Sequence, residues 1–461
     1  MVCRVTLTQL AEILAVMPSV EFDREMAIGI ATDTRSLKVG EVFVALRGEN
    51  FDGHKFVGKA LELGAIAAVV DRNWTSENLS LPLFRVDDTL KAYQAIAHWW
   101  RKQFKIPVIA VTGSVGKTTT KELISAVLAT QGNVLKTQLN YNNEIGVPKT
   151  LLELAPEDQY AVIEMGMRGP GEIALLSQIA QPTIAVITNV GTAHIGRLGS
   201  REAIAEAKCE LLAEMPENST AILNADNTLL MTTAARVWQG TTFTYGLEKG
   251  DLCPELLDEN TITIDGLKLP LPLPGNHNAI NYLAALAVAK VLGINWESLT
   301  DGLSVELPSG RAKRYELSND IIILDETYNA GLESMIAALQ MLAKTPGKRR
   351  IAVLGTMKEL GEESLEFHRQ VGATVRELNL DALFILADFE EAAAMADGAT
   401  GLPLIELGDI NQIDAREKMA QDLQKFVKAG DRILFKASHS VELNRVADIF
   451  RADVTGFNIT R

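Results

Sequence analysis

Cysteine is scarce in this chain. Cys3, Cys209 and Cys253 are the only three in 461 residues, and they form no CxxC pair. That excludes a disulfide framework and suits a reduced, cytoplasmic setting. Positive charge is also in short supply, with 44 Lys and Arg against 59 Asp and Glu and a net charge of -15. Nucleic-acid binders carry a basic footprint, so that class is excluded. Phosphate ligands are not, because a nest of backbone N–H groups can hold an anion inside an acidic protein. Long apolar runs are missing too, and none approaches the roughly 18 residues of a membrane span. The mildly apolar stretch Leu7 to Met17 is interrupted by Gln9 and Glu12 and reads as a short amphipathic helix rather than a signal peptide. Short-period repeats and low-complexity segments are absent as well.

What is present is an ordinary globular composition, 47% hydrophobic and 22% charged. At roughly 100–200 residues per domain, the length suggests about three domains. Residues 1–105 hold short elements: a strand at 41–48, a helix at 55–65, a buried strand at 66–70 and an amphipathic helix at 89–104. Ile106-Pro107 marks a boundary, since proline disfavours helix in the residue before it. From 106 to 312 the pattern becomes strand, loop, helix, with apolar strands at 160–166, 183–191 and 219–227. Buried strands alternating with helices predict an α/β fold with a mostly parallel sheet covered on both faces. The rhythm restarts beyond "ELPSGRAKRYE" (306–316), which predicts a separate Rossmann-like α/β unit over 313–461.

The sharpest motif is Thr112-Gly113-Ser114-Val115-Gly116-Lys117-Thr118-Thr119, set between a strand and a helix. Glycines let the backbone wrap a phosphate, and the helix N-terminus adds positive potential. Lys117 can neutralise the β- and γ-phosphates and the Thr118 hydroxyl can ligate Mg²⁺. The longer GxxxxGK[ST] form is not met, because Val111 stands where its first glycine would be.

Glu164 and His194 each follow a strand at the end where open α/β sheets bind ligands. Each is either a magnesium ligand or a loop residue satisfied locally, and imidazole is the less usual partner for Mg²⁺. Lys208, within "REAIAEAKCELL", reads at face value as a solvated surface lysine. Asn278 and Asn281 lie three apart, after His277, and share a helix face. They either read a base edge or cap the helix. Arg311, Lys313 and Arg314 stand at the hinge-like boundary, from which a cation could reach a transferring phosphoryl group.

Taken together, these residues resemble the Mur ligase family along essentially the whole chain. The resemblance implies three domains: an N-terminal UDP-binding one, a central ATPase and a C-terminal Rossmann-like one. The family's phosphate loop has the same short TGxxGKT form. Thr118, Glu164 and His194 match magnesium-linked positions. Lys208 matches a lysine carbamylated in several members, where the carbamate ligates a second Mg²⁺. Asn278 and Asn281 match the HNxxN nucleotide segment, Arg311 the arginine that reaches the phosphates, and Asp325 a C-terminal-domain aspartate that approaches the nucleotide.

Residues 32–56 are similar to the family's uridine-nucleotide segment, with Thr32, Asp33, Thr34, Arg35, Ser36, Gly48, Asp52 and His54 as substrate contacts. That segment argues against folylpolyglutamate synthases. "NYNNEIGVP" (140–148), with Asn140 and Asn143 as substrate contacts, "DETYNA" (325–330) and "GTMKELG" (355–361) resemble members that add D-alanyl-D-alanine. The DNPR signature of those that add a diamino acid is not found.

The implied substrates are ATP, UDP-N-acetylmuramoyl-tripeptide and D-alanyl-D-alanine. The implied reaction is amide formation through an acyl-phosphate, by a cytoplasmic monomer. Two segments depart from the family pattern. "KASHS" (436–440) stands where KGSR is usual, so Lys436 carries over, whereas His439 lacks the bidentate fork of arginine. Gly331 stands where "YNAN" has its last asparagine. The rival readings are another amide ligase of the same family, a regulatory P-loop NTPase, and a non-catalytic relative.

Overall fold

The computed structural model describes residues 3–17, 26–75, 82–258 and 260–455. The chain opens with helix Leu7–Leu14, started by a Thr6–Gln9 capping box and ended at Ala15, whose φ is 52°. A four-stranded parallel sheet follows, β1 (Ile30–Ala31), β2 (Val42–Val44), β3 (Ala67–Asp71) and β4 (Leu83–Val86), in that spatial order. Asp88 caps helix α1 (Thr89–Arg101), accepting from the N–H groups of Leu90 and Lys91. Its apolar face, with Ala92, Tyr93, Ile96 and Ala97, is buried on both flanks: against the sheet and against helices Gly146–Leu151 and Glu172–Ala180. Trp100 Nε1 donates to Leu154 O, and Arg101 Nε to Ala180 O. One apolar core therefore runs from residue 3 past residue 200, without a break at Ile106-Pro107.

The central unit contains β5 (Val108–Thr112), α2 (Lys117–Ala129), β6 (Asn133–Lys136), β7 (Asp158–Glu164), β8 (Ile184–Ile187), α3 (Arg201–Glu214), β9 (Thr220–Asn224), β10 (Thr241–Tyr245) and α4 (Asn276–Val291). Its six strands are parallel, in the order β6-β7-β5-β8-β9-β10. Chain direction across the sheet switches at β5, where open α/β sheets form a ligand crevice. A small antiparallel meander, Leu256–Leu257, Thr261–Ile264 and Leu267–Pro270, precedes α4. Alanine-rich α4 lies flat on the sheet beside α2, and Tyr282, Leu283 and Leu286 are fully buried there.

The third unit has β11 (Lys313–Leu317), β12 (Ile321–Glu326), α5 (Leu332–Lys344), β13 (Arg349–Gly355), α6 (Ser364–Glu377), β14 (Ala382–Ala387), β15 (Ile405–Asp409) and β16 (Asp431–Lys436). The sheet order is β11-β12-β16-β13-β14-β15, with only β11 antiparallel. Among the described residues, no helix is long and apolar enough to cross a membrane.

Candidate active site

The C-terminal ends of β5, β7 and β8 open into a cleft of about 900 Å³ that the third unit closes from the opposite side. Thr112 ends β5, and its hydroxyl donates to Met165 O at 2.9 Å. The loop then turns through Gly113 and Gly116, with φ values of 151° and 80°. At Gly116 the freedom is needed twice, for the positive φ and because a Cβ there would lie 2.6 Å from Asn281 Oδ1. Asn189 holds the loop's far side: its carbonyl accepts from Ser114 N–H at 3.1 Å and its Oδ1 from Val115 N–H at 3.0 Å. Lys117 begins α2 and folds back over the loop, donating to Gly113 O at 2.8 Å. Burial lowers its pKa, the carboxylate of Glu164 works against that shift, and Arg311 adds to it. Thr118 is buried at the helix start, and Thr119 also lines the cleft.

The register Val111↔Glu164 sets Glu164 beside the loop. Its Oε1 accepts from Asn142 Nδ2 at 2.8 Å, while its Oε2 is buried with no hydrogen-bond partner. An unpaired buried carboxylate oxygen is costly and calls for a cation. Thr118 lines the same cleft, and oxygen donors of these two kinds suit a hard ion such as Mg²⁺. His194, at φ 68°, also faces the cleft, but its Nδ1 meets Glu359 Oε2 of the third unit. Burial lowers the His194 pKa, and Glu359 opposes that shift.

Lys208 is not the surface lysine that its helix suggests. It is 1% exposed on α3, and burial, reinforced by Lys117, holds its pKa well below the usual value. Asparagine capping is likewise not the work of Asn278 and Asn281, since the N-cap of α4 is Gly275 and no side chain caps it. Asn278 Nδ2 donates to Pro274 O at 2.7 Å, and Asn281 Oδ1 accepts from Thr120 Oγ1 at 3.1 Å under the phosphate loop.

From the third unit's side, Arg311 enters the cleft. Its guanidinium lies 3.9 Å from the centroid of the Tyr328 ring, and its buried Nε has no partner. Lys313 and Arg314 belong to β11, and Arg314 pairs with Glu316 away from the cleft. Asp325 does not line the cleft: its Oδ1 accepts from Thr327 N–H and Oγ1, at 3.1 and 2.7 Å. Its strand neighbour Glu326 faces inward instead, 3.9 Å from Lys436 Nζ. Burial raises the Glu326 pKa and lowers that of Lys436, and each charge partly offsets the other's shift. His439 meets the Tyr328 ring edge-on at 6.0 Å. Gly331 lines the cleft as the N-cap of α5, without a side chain to offer.

The 32–56 segment lies outside the cleft, on the N-terminal sheet. Thr32, Thr34 and Ser36 form its turn around Asp33. Arg35 donates to both Asp33 oxygens and holds that carboxyl down at about 2. Lys149, from helix Gly146–Leu151, whose Gly146 N–H donates to Asn143 Oδ1, adds a weaker pull on Asp33. His54 is buried and fully engaged: Nε2 accepts from Asp71 N–H at 2.9 Å, and Nδ1 sits 2.7 Å from Asp52 Oδ1. Gly48 is exposed on the short ribbon beside it. Asn140 and Asn143, with Asn142 between them, reach the cleft from the other side. Asn142, Asn189, Glu326, Glu333 and Glu359 were not singled out in the sequence.

Three family models match this chain: the Mur ligase family catalytic domain over residues 28–100, the Mur ligase middle domain over 111–289, and the Mur ligase glutamate ligase domain over 310–439. UDP-N-acetylmuramoyl-tripeptide--D-alanyl-D-alanine ligase of Synechocystis sp. is 59% identical over 424 residues, covering 92% of each chain. The chain belongs to the Mur ligase family. The enzyme of the same name from Bacillus subtilis is 36% identical, covering 96% of this chain and 97% of its own. Among solved Mur ligase structures, MurF from Acinetobacter baumannii superposes with a TM-score of 0.87 at 32% identity, over 97% of this chain and 99% of that one. MurF from Thermotoga maritima, solved in complex with ADP, gives 0.82 at 32% identity, over 93% and 98%. These likenesses establish the three-part α/β architecture of a Mur ligase for this chain.

Proposed function

We propose that this chain is an ATP-dependent ligase that joins D-alanyl-D-alanine to UDP-N-acetylmuramoyl-tripeptide in peptidoglycan precursor synthesis. The observation that carries the reading is the convergence of Lys117, Glu164 and Arg311 on one cleft, in a chain 59% identical to a ligase of that name. A bare carboxylate is a poor electrophile. The tripeptide carboxylate therefore attacks the γ-phosphorus of ATP, forming a C–O–P bond as the bond to ADP breaks. The amine of D-alanyl-D-alanine then attacks the acyl carbon, loses a proton to a base and displaces phosphate.

In this reading the N–H groups of Gly113 to Thr119 cradle the phosphates and Lys117 spreads the charge that develops. Arg311, released from its place over Tyr328, supplies its free Nε–H to the γ-phosphate. Asn278 and Asn281 hold the nucleotide, and Asp325 acts by fixing the turn before Tyr328. Thr118 and Glu164 hold Mg²⁺, with His194 near them. When bound, the ion withdraws charge from the phosphate oxygens. Lys208, whose depressed pKa favours the free amine, is suited to add CO₂ with loss of one proton, and the carbamate would give a second ion an oxygen ligand. Thr32 to Ser36, Gly48 and Asp52 form the uridine end of the substrate site, and His54 shapes it from beneath. Asn140 and Asn143 lie between that end and the phosphates. A monomer working in the cytoplasm completes the proposal.

Phosphate release with both substrates, and with each alone, tests the activity. Turnover requires both, and Lys117→Ala lowers it by at least about a hundredfold, the scale for losing a preorganised charge-stabilising group. Retained ligation in that variant would remove the phosphate-loop assignment.

A further inference from the structure

The segment Thr188 to His194 leaves β8 and passes over the phosphate loop like a strap. Asn189 is bonded to Ser114 and Val115 as described, and Gly191 N–H donates to Ser114 Oγ at 2.9 Å. The third unit grips the same strap. Glu333, in the first turn of α5, accepts Thr192 N–H at 2.8 Å through Oε1 and the Thr192 hydroxyl at 3.0 Å through Oε2. The neighbouring position leaves the carboxylate its place, since a Cβ on Gly191 would lie 2.7 Å from Glu333 Oε1 and push it aside. A carboxylate is also favoured where Glu333 sits, at a helix N-terminus. The chain of contacts is thus continuous, from α5 through Thr192 and Gly191 to Ser114 and the phosphate loop.

We propose that Glu333 is a positioning residue that latches the third unit onto this strap, so that closure and the shape of the phosphate loop are set together. The inference rests on the ligase reading for its kinetic readout, but not for its structural one. Both carboxylate oxygens of Glu333 are taken up by Thr192, through which its effect passes.

Steady-state phosphate release from ATP, UDP-N-acetylmuramoyl-tripeptide and D-alanyl-D-alanine is measured for wild type, Glu333→Ala, Glu333→Gln, Thr192→Val and Gly191→Ala, each with its melting temperature. Glu333→Ala lowers kcat about tenfold, the factor that corresponds to about 1.4 kcal/mol, and leaves the melting temperature unchanged. Gln keeps an acceptor for Thr192 N–H and recovers most of the loss. Gly191→Ala reproduces the loss by displacing the carboxylate. Glu333→Ala combined with Thr192→Val is no worse than Glu333→Ala alone. Unchanged kcat, losses that multiply, or a kcat loss that tracks melting would each overturn the latch. Small-angle scattering with Mg-ADP supplies a readout free of turnover: Glu333→Ala is more extended than wild type, and equal radii sink the latch whatever the activity. If wild type makes no product, the ligase reading fails and scattering alone decides the latch.

Discussion

Lys121 lies one turn beyond the phosphate loop and is completely buried. Its Nζ donates to Thr137 O at 2.7 Å and sits 2.9 Å from Glu122 Oε1, whose other oxygen meets Lys136 at 2.5 Å. Thr137 in turn accepts the backbone N–H of Glu164 on its Oγ1 at 2.9 Å. Lys121→Met keeps the apolar stem and removes the charge. A hydrogen bond from a charged donor is worth about 1.5–3 kcal/mol. Breaking a buried ion pair costs about 3–5 kcal/mol when the partner is left uncompensated. The two figures describe the same ammonium and overlap, and Glu122 keeps Lys136. The expected loss is therefore near the lower end, about 3 kcal/mol. At roughly 2–4 °C per kcal/mol for a unit of this size, the melting transition falls by about 6–12 °C. Calorimetry reads this directly. In the same variant, half-maximal turnover requires more Mg²⁺, because Glu164 loses its anchored strand end. A melting shift below about 2 °C would refute the reasoning, since it would mean the buried ammonium contributes almost nothing.

Two further outcomes follow from other parts of the molecule. Gly116→Ala forces a side chain into a left-handed turn, at about 1–2 kcal/mol, and presses on Asn281. ADP affinity measured by titration calorimetry falls at least about tenfold while the near-UV spectrum is retained, and unaltered affinity would mean that the loop does not need this glycine. Burial, helped by the charge of Lys436, pushes the His277 pKa down to about 4. The unfolded chain, at about 6.5, therefore takes up the proton first, so stability falls as pH drops from about 6.5 to 4, by at most about 3 kcal/mol. His277→Gln flattens that slope, and parallel denaturation profiles for the two proteins across the window would discard the assignment.

The phosphate loop and the two α/β units were legible because they rest on local signals: strand periodicity, a glycine turn and a helix start. What was hidden depends on which face an element presents. Lys208 and Lys121 sit in ordinary-looking helical stretches, and nothing in their spacing tells that both are buried at 1% exposure or less. Asp325 and Glu326 are neighbours on a strand, so they point to opposite sides. Strand parity shows that the two face opposite sides but not which side is the cleft's, and here Glu326 lines it while Asp325 bonds to Thr327. Glu333 and Glu359 work only across the seam between units, which no local pattern can reveal. Glu164 was legible as a strand-end acid, but its unpartnered oxygen was not.

Helix α1 carries a consequence for substrate choice. Because its flanks pack against the N-terminal sheet on one side and helices Gly146–Leu151 and Glu172–Ala180 on the other, α1 ties the N-terminal unit to the central one, and a cut after residue 105 would expose the apolar seam between them. The turn around Asp33 and the turn around Lys117 are thus mounted on units that share one apolar core, like the two ends of a gauge. A ligand anchored at the first turn delivers its reactive end to the second only if its length fits that gap. On the proposed ligase reading, an acceptor one residue shorter or longer would bring its carboxylate to the wrong side of the phosphate loop by reach alone.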